Sequence, residues 1–144
     1  MVLTSVFKGH PPSVSVKKPV PEIICNLNED KDKVRDNIKK NIQRGLPQVQ
    51  PYETQWDKVV CLALGGPTLK KTFPNLLEKK NDGVPVITVN GSYKYCIDNG
   101  LEPSAMVMLD SREFNNRFVE PTLQDCKYFI SSQCHPSVFE KLKD

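Results

Sequence analysis

No apolar run in this chain approaches the length that crosses a bilayer, and its first residues lack the apolar stretch of a secretory signal. The expected location is therefore cytoplasmic, with no membrane partner. A dominant charge is missing too. Lys and Arg total 20 against 17 Asp and Glu, and a net +3 is too mild to argue for nucleic acid. Cys-x-x-Cys does not occur, and five cysteines (Cys25, Cys61, Cys96, Cys126 and Cys134) are an odd set for a disulfide framework. Cys134-His135 lacks the second cysteine pair that zinc spacing needs. Neither Gly-x-x-x-x-Gly-Lys-Ser/Thr nor Gly-x-Gly-x-x-Gly is present, so a Walker lysine and an NAD(P) site have no support. Apolar content is low at 38% and prolines are many at 12, which places part of the chain outside the core. The 144 residues suffice for one domain with a real core but are short for a complete doubly wound enzyme.

What is present is organised around residues 58–69, Lys-Val-Val-Cys-Leu-Ala-Leu-Gly-Gly-Pro-Thr-Leu. A continuous apolar run that stops at paired glycines reads as a strand buried on both faces, as in a parallel sheet with helices on either side. Cys61 within it reads as a small core residue. Gly65 and Gly66 allow a tight turn and close approach of a ligand. Pro67 suits a first helical turn and Thr68 can cap it. Such a junction aims free N–H groups and a positive helix end at one point, which suits a phosphate; it equally serves as a plain tight turn.

Residues 1–27 read as an extended Pro-rich arm with one edge strand at 14–16. Residues 28–55 read as a helix and linker. The helix, 28–44, is capped by Asn28, and its narrow stripe of Val34, Ile38 and Ile42 is the expected buried face. Gly45 and Pro47 stop it, and Trp56 is expected to anchor the entry to the glycine-terminated strand. Residues 56–144 read as the α/β domain. After the glycine turn, Leu69, Phe73, Leu76 and Leu77 share a helical face that Pro74 should kink or divide. Further strands are expected at 84–89, 105–109 and 127–130, alternating with short helical segments at 93–97, 113–119 and 136–142. Such β-α alternation with short connections implies a parallel sheet with right-handed crossovers.

In a parallel sheet all strand C-terminal ends share one edge, and ligands bind outside it. Here those ends are Gly65-Gly66-Pro67-Thr68, Asn90-Gly91-Ser92, Asp110-Ser111-Arg112 and Ser132-Gln133-Cys134-His135. Asp110 can hold Mg²⁺, bind a ribose hydroxyl or act as a base, or it can simply cap the next segment. Asn90 can read a base or sugar, or cap a helix. His135 can move a proton or bind phosphate, although Pro136 behind it favours a helix-start role. Together these ends make a binding site for a small nucleotide or phosphorylated substrate the expectation, with Asp110 and His135 as catalytic candidates. The binding candidates are Gly65, Gly66, Pro67, Thr68, Asn90, Gly91, Ser92, Ser132 and Gln133.

In order along the chain, Gly-Gly-Pro-Thr-Leu, Val-Asn-Gly-Ser-Tyr-Lys-Tyr, Asn-Gly-Leu-Glu-Pro-Ser, Met-Val-Met-Leu-Asp-Ser-Arg and Ser-Gln-Cys-His-Pro-Ser-Val-Phe resemble the 6-hydroxymethylpterin diphosphokinase-like family. That family was first filed as a domain of unknown function and includes bacterial, phage and flagellin-modifying members. The resemblance covers about residues 56–144. It implies a Rossmann-like domain whose active members transfer diphosphate from ATP to a hydroxymethyl pterin with Mg²⁺. Gly65 to Thr68 would then face phosphates, Asp110 would be the metal or substrate carboxylate, and Asn90 would line the pocket. The first two motifs also resemble those of sialyltransferases, which would make the ligand a nucleotide sugar. A non-catalytic accessory protein that keeps only the fold is the remaining reading. The family usually shows a second half with further strands, so the chain is expected to be the N-terminal portion of a larger domain. Its open sheet edge would then favour homo-oligomers.

Overall fold

A computed structural model of the chain describes residues 29–50 and 58–142. The expected arm over 1–27, the edge strand at 14–16, the Asn28 cap and the Trp56 anchor lie outside the described residues. Helix α1 spans Lys31–Ile42 and is capped by Asp30, whose carboxylate accepts the N–H groups of Asp32 at 2.7 Å and Lys33 at 3.3 Å. Then come β1 (Cys61–Ala63), α2 (Leu69–Asn81), β2 (Val86–Val89), α3 (Ser92–Asp98) and β3 (Ala105–Met108). A 3-10 helix (Glu113–Phe118), β4 (Lys127–Ile130) and α4 (Pro136–Lys141) complete the described order. Gly100, at φ +82°, closes α3 in the left-handed region expected of an Asn-Gly stop.

The described strands form one all-parallel sheet in the order β1-β2-β3-β4, giving a Rossmann-like α/β arrangement. Each crossover moves one strand in the same direction, and crossovers of the usual right hand then put the connecting elements on one face. Two apolar clusters fill the space beneath them. Ala63, Phe73, Val86, Cys96 and Leu101 pack under α2 and α3. Tyr93, Met106, Met108, Val119, Cys134, Val138 and Phe139 pack between β3, β4 and α4.

Three expectations change. The glycine-terminated strand is not buried on both faces. It is a three-residue strand at the edge of the described sheet, and Leu62 on its second face is 61% exposed. The same face carries exposed Leu64, Leu109 and Phe129, and none of α2, α3 and α4 packs there. An unbroken apolar run shows that both faces are apolar, not what covers each of them. Of the kink or division expected at Pro74, the division does not occur: α2 runs as one helix of 13 residues. Early in the helix, the proline's missing N–H forfeits only the bond to the Lys70 carbonyl.

The third change concerns α1. Ile42 is 62% exposed, whereas Asn37 and Asn41 are buried. Asn41 Nδ2 donates to the carbonyls of Ser132 at 2.9 Å and Cys134 at 2.7 Å. Asn37 Nδ2 donates to those of Ser111 at 3.3 Å and Gln133 at 3.1 Å. Four residues apart, the two amides lie on one helical face. That face docks on the turns after β3 and β4, where the unpaired groups are carbonyls rather than apolar side chains.

Candidate functional site

The mouth of the sheet holds two adjoining clefts that share Gly65 and Gly91. The first, about 390 Å³, lies between the turn after β1 and the start of α3, lined by Gly65, Gly66, Pro67, Lys70, Ser92 and Tyr95 among others. In that turn the Gly66 N–H donates to the Leu64 carbonyl and the Leu69 N–H to the Gly66 carbonyl, both at 3.0 Å. The N–H groups of Gly65, Thr68 and Lys70 find no acceptor among the described residues. Neither Gly65 nor Gly66 has a positive φ, and a Cβ built on either meets nothing within 4 Å. The fold itself therefore does not require glycine there. Open backbone beside the start of a 13-residue helix and the Lys70 ammonium is suited to an anion that approaches closely. Thr68 precedes α2 but makes no side-chain capping bond and lines neither cleft.

The second cleft, about 350 Å³, adds Asn90, Asp110, Arg112, Phe114, Asn115 and Phe118. Asn90 sits at φ +51°, a conformation asparagine tolerates better than most residues. Its N–H donates to the Val107 carbonyl at 2.9 Å and its Oδ1 accepts the Leu109 N–H at 3.1 Å, tying β2 to the end of β3. That leaves only its amide nitrogen for a ligand. Ser92 is fully committed: its hydroxyl donates to the Ala63 carbonyl at 2.6 Å and accepts the Val89 N–H at 2.9 Å. It is buried and fastens β1 to β2. Gly91 packs against the Phe118 ring, which a Cβ would approach to 3.3 Å.

Asp110 stands at the end of β3 and is held by Arg112. The Arg112 side chain donates from Nε at 2.9 Å to Oδ1 and from Nη2 at 2.5 Å to Oδ2, and its backbone N–H donates to Oδ1 at 3.1 Å. These bonds, the guanidinium's first, hold the Asp110 carboxyl below its ordinary value. The guanidinium lies 4.5 Å from the Phe114 ring centre, and Arg117 lies 5.0 Å and 4.7 Å from the rings of Phe114 and Phe118. Asn115 is 2% exposed and its Nδ2 has no hydrogen-bond partner among the described residues. Sequence reasoning misses it, because nothing in Glu-Phe-Asn-Asn-Arg-Phe distinguishes it from Asn116, whose amide donates to the Ser137 hydroxyl at 3.1 Å.

The fourth strand end does not join the clefts. The carbonyls of Ser132 and Gln133 face α1, and the Gln133 side-chain amide donates to the Leu109 carbonyl. His135 caps α4. Its Nδ1 accepts the Ser137 N–H at 3.3 Å and lies 2.8 Å from the Ser137 hydroxyl. The structure therefore brings together Gly65, Gly66, Pro67, Asn90, Gly91, Ser92 and Asp110 around the clefts, turns Ser132, Gln133 and His135 to structural bonds beside them, and leaves Thr68 outside both clefts. Among the described residues no three His, Cys, Asp or Glu side chains gather as a metal centre, and no helix is long and apolar enough to cross a membrane.

The family model described as 6-hydroxymethylpterin diphosphokinase MptE-like matches residues 32–144. No curated protein and no solved structure matches the chain.

Proposed function

The chain belongs to the MptE-like 6-hydroxymethylpterin diphosphokinase family, and from that premise we propose that it is a transferase domain whose sheet mouth binds the phosphates of ATP. One observation carries the reading. Two consecutive glycines that the fold does not need open onto the same mouth as Lys70 and Arg112. N–H groups with no acceptor among the described residues, a helix start and two cations all favour an anion that comes close to the backbone.

In diphosphoryl transfer the acceptor's hydroxymethyl oxygen bonds to the β-phosphorus of ATP. The bond from that phosphorus to the α,β-bridging oxygen breaks, AMP leaves with the electron pair, and the hydroxyl proton passes to solvent or a base. The chain's part is to position and to neutralise charge. The turn at Gly65 and Gly66, with Lys70, holds the phosphates, and the free Asn90 amide orients the substrate. Asp110, kept ionised by Arg112, suits orientation of a hydroxyl or a cation better than proton abstraction. As donor set for Mg²⁺, a lone carboxylate does not make a resident centre. It does fit an ion carried in on nucleotide phosphates, which usually takes one or two protein carboxylates. Asp110 is the residue that would hold it, and the ion would offset phosphate charge.

Calorimetric titration of the full chain with ATP, CMP and CMP-sialic acid tests the reading. Binding of ATP in preference to both cytidine ligands is expected. Saturation by CMP-sialic acid without ATP binding would transfer the site to nucleotide-sugar chemistry, and silence with all three would remove the nucleotide reading.

A further inference from the structure

We infer that Arg112 is the anion-binding residue of this mouth, that Asp110 occupies its guanidinium as an internal stand-in for a ligand phosphate, and that Asn115 takes over the carboxylate when Arg112 turns to the ligand. The inference rests on the phosphate-binding reading above and assigns the residues that make the site selective for a diphosphate.

Three observations carry it. The guanidinium presents a two-pronged fork, Nε and Nη2, to the two Asp110 oxygens. That geometry serves carboxylate and phosphate alike, and a lysine cannot reproduce it. Neither partner is locked in the core: the side chains are 36% and 23% exposed, inside a cleft. The guanidinium rests on the Phe114 ring, a flat support on which it can pivot without losing that contact. Finally, Asn115 holds a buried amide nitrogen with no hydrogen-bond partner among the described residues, a costly arrangement unless another state satisfies it. The acceptor beside it is Asp110, whose charged form Asn115 weakly stabilises, a contact that stops short of a formed hydrogen bond while Arg112 holds the carboxylate. Once Arg112 leaves, that carboxylate has oxygens to offer, and the orphan donor is satisfied. A diphosphate brings more charge and more acceptors than the carboxylate, so it wins the fork. A neutral ligand leaves the pair closed.

The test is a double-mutant cycle on the full chain, titrated with inorganic pyrophosphate in the presence of EDTA. Asp110→Asn releases Arg112 from its competitor and should tighten pyrophosphate binding roughly two- to fivefold, the worth of a partly exposed ion pair. Arg112→Gln should weaken it at least tenfold. In the Arg112→Gln background the Asp110→Asn gain should vanish. A gain that persists there would reduce the effect to general charge removal and overturn the inference, as would unchanged or weaker binding in Asp110→Asn alone. In the unsubstituted protein, the Arg112 Nε–H resonance should shift on adding pyrophosphate, and a resonance that stays put at saturation also overturns it. Failure of the nucleotide reading looks different, because the unsubstituted chain then binds neither pyrophosphate nor ATP.

Discussion

Replacing Asn41 by leucine should be among the most damaging single changes in the described structure, although the residue is polar and sits on a charge-rich helix. Asn41 is 5% exposed and its amide nitrogen donates to two carbonyls, at 2.9 and 2.7 Å. Its Oδ1 accepts Arg44 Nε at 3.2 Å, and Arg44 in turn reaches Glu140 at 3.2 Å and the Phe139 ring. Leucine keeps the branched outline with a larger volume, so no cavity is left and crowding only adds to the loss. The cost comes from leaving the Ser132 and Cys134 carbonyls without their donor, at about 1–3 kcal/mol for each buried group. The two share one amide and are not additive, which gives about 2–4 kcal/mol, a large share of the roughly 5–15 kcal/mol that holds a domain folded. At about 4 °C per kcal/mol for a chain of this size, melting should fall by roughly 8–16 °C. Urea denaturation followed by circular dichroism reads the free energy directly, and Ile42→Ala, at a 62% exposed position, is the control expected within about 0.5 kcal/mol. Should Ile42→Ala cost more than Asn41→Leu, the docking face of α1 has been misassigned and the apolar stripe is the true contact.

Two further outcomes can be measured on the same protein. Gly66→Val should keep the melting temperature within a few degrees, because its side chain meets open space, yet abolish ATP binding in the calorimeter; retained affinity would leave the turn purely structural. Burial pushes the thiols of Cys96 and Cys134 up to about 11 and about 12 from an ordinary 9. Above pH 9 the unfolded thiols ionise while the native ones keep their protons, so the native state binds more protons and stability falls as pH rises from about 9 toward 11. Urea midpoints that stay flat over that interval would contradict the burial of these thiols.

The alternation of strands and helices is readable because each strand is a short apolar run ended by small or polar residues, as at Val89-Asn90-Gly91 and Met108-Leu109-Asp110. The helical stripe of Leu69, Phe73, Leu76 and Leu77 reaches the core as expected, and so do Val138 and Phe139 of α4. What the pattern cannot give is strand order. The run of residues 59–64 has apolar side chains on both faces, which is what a central strand shows, yet β1 lies at the edge of the described sheet. Hydropathy records how a residue would respond to burial and carries no information about which neighbour arrives. The same limit misdirects the reading of α1. Val34, Ile38 and Ile42 form the only apolar stripe in sight, and asparagines rank among surface residues by default. Only the presence of unpaired carbonyls at the sheet mouth makes the Asn37–Asn41 face the one to bury.

At the sheet mouth, the sequence locates where the strands end but not the state of each side chain. Strand polarity alone puts Gly65, Gly66, Asn90 and Asp110 at the mouth, and they do converge there. Ser92 and His135 are equally good candidates by type and place, since each comes after a strand with a group that can bind or transfer a proton. The difference lies in what is left over after folding. The Ser92 hydroxyl has committed its proton to Ala63 and its lone pair to Val89, and the His135 ring has turned onto Ser137. Asn90 has committed its oxygen and kept its nitrogen, while Asn115 has kept a buried donor with no partner among the described residues. A polar residue at a sheet mouth is available for chemistry only to the extent that the backbone beside it has already been satisfied by something else. Here that criterion separates the mouth residues whose polar groups remain open to a ligand from those that hold the strands and α4 together.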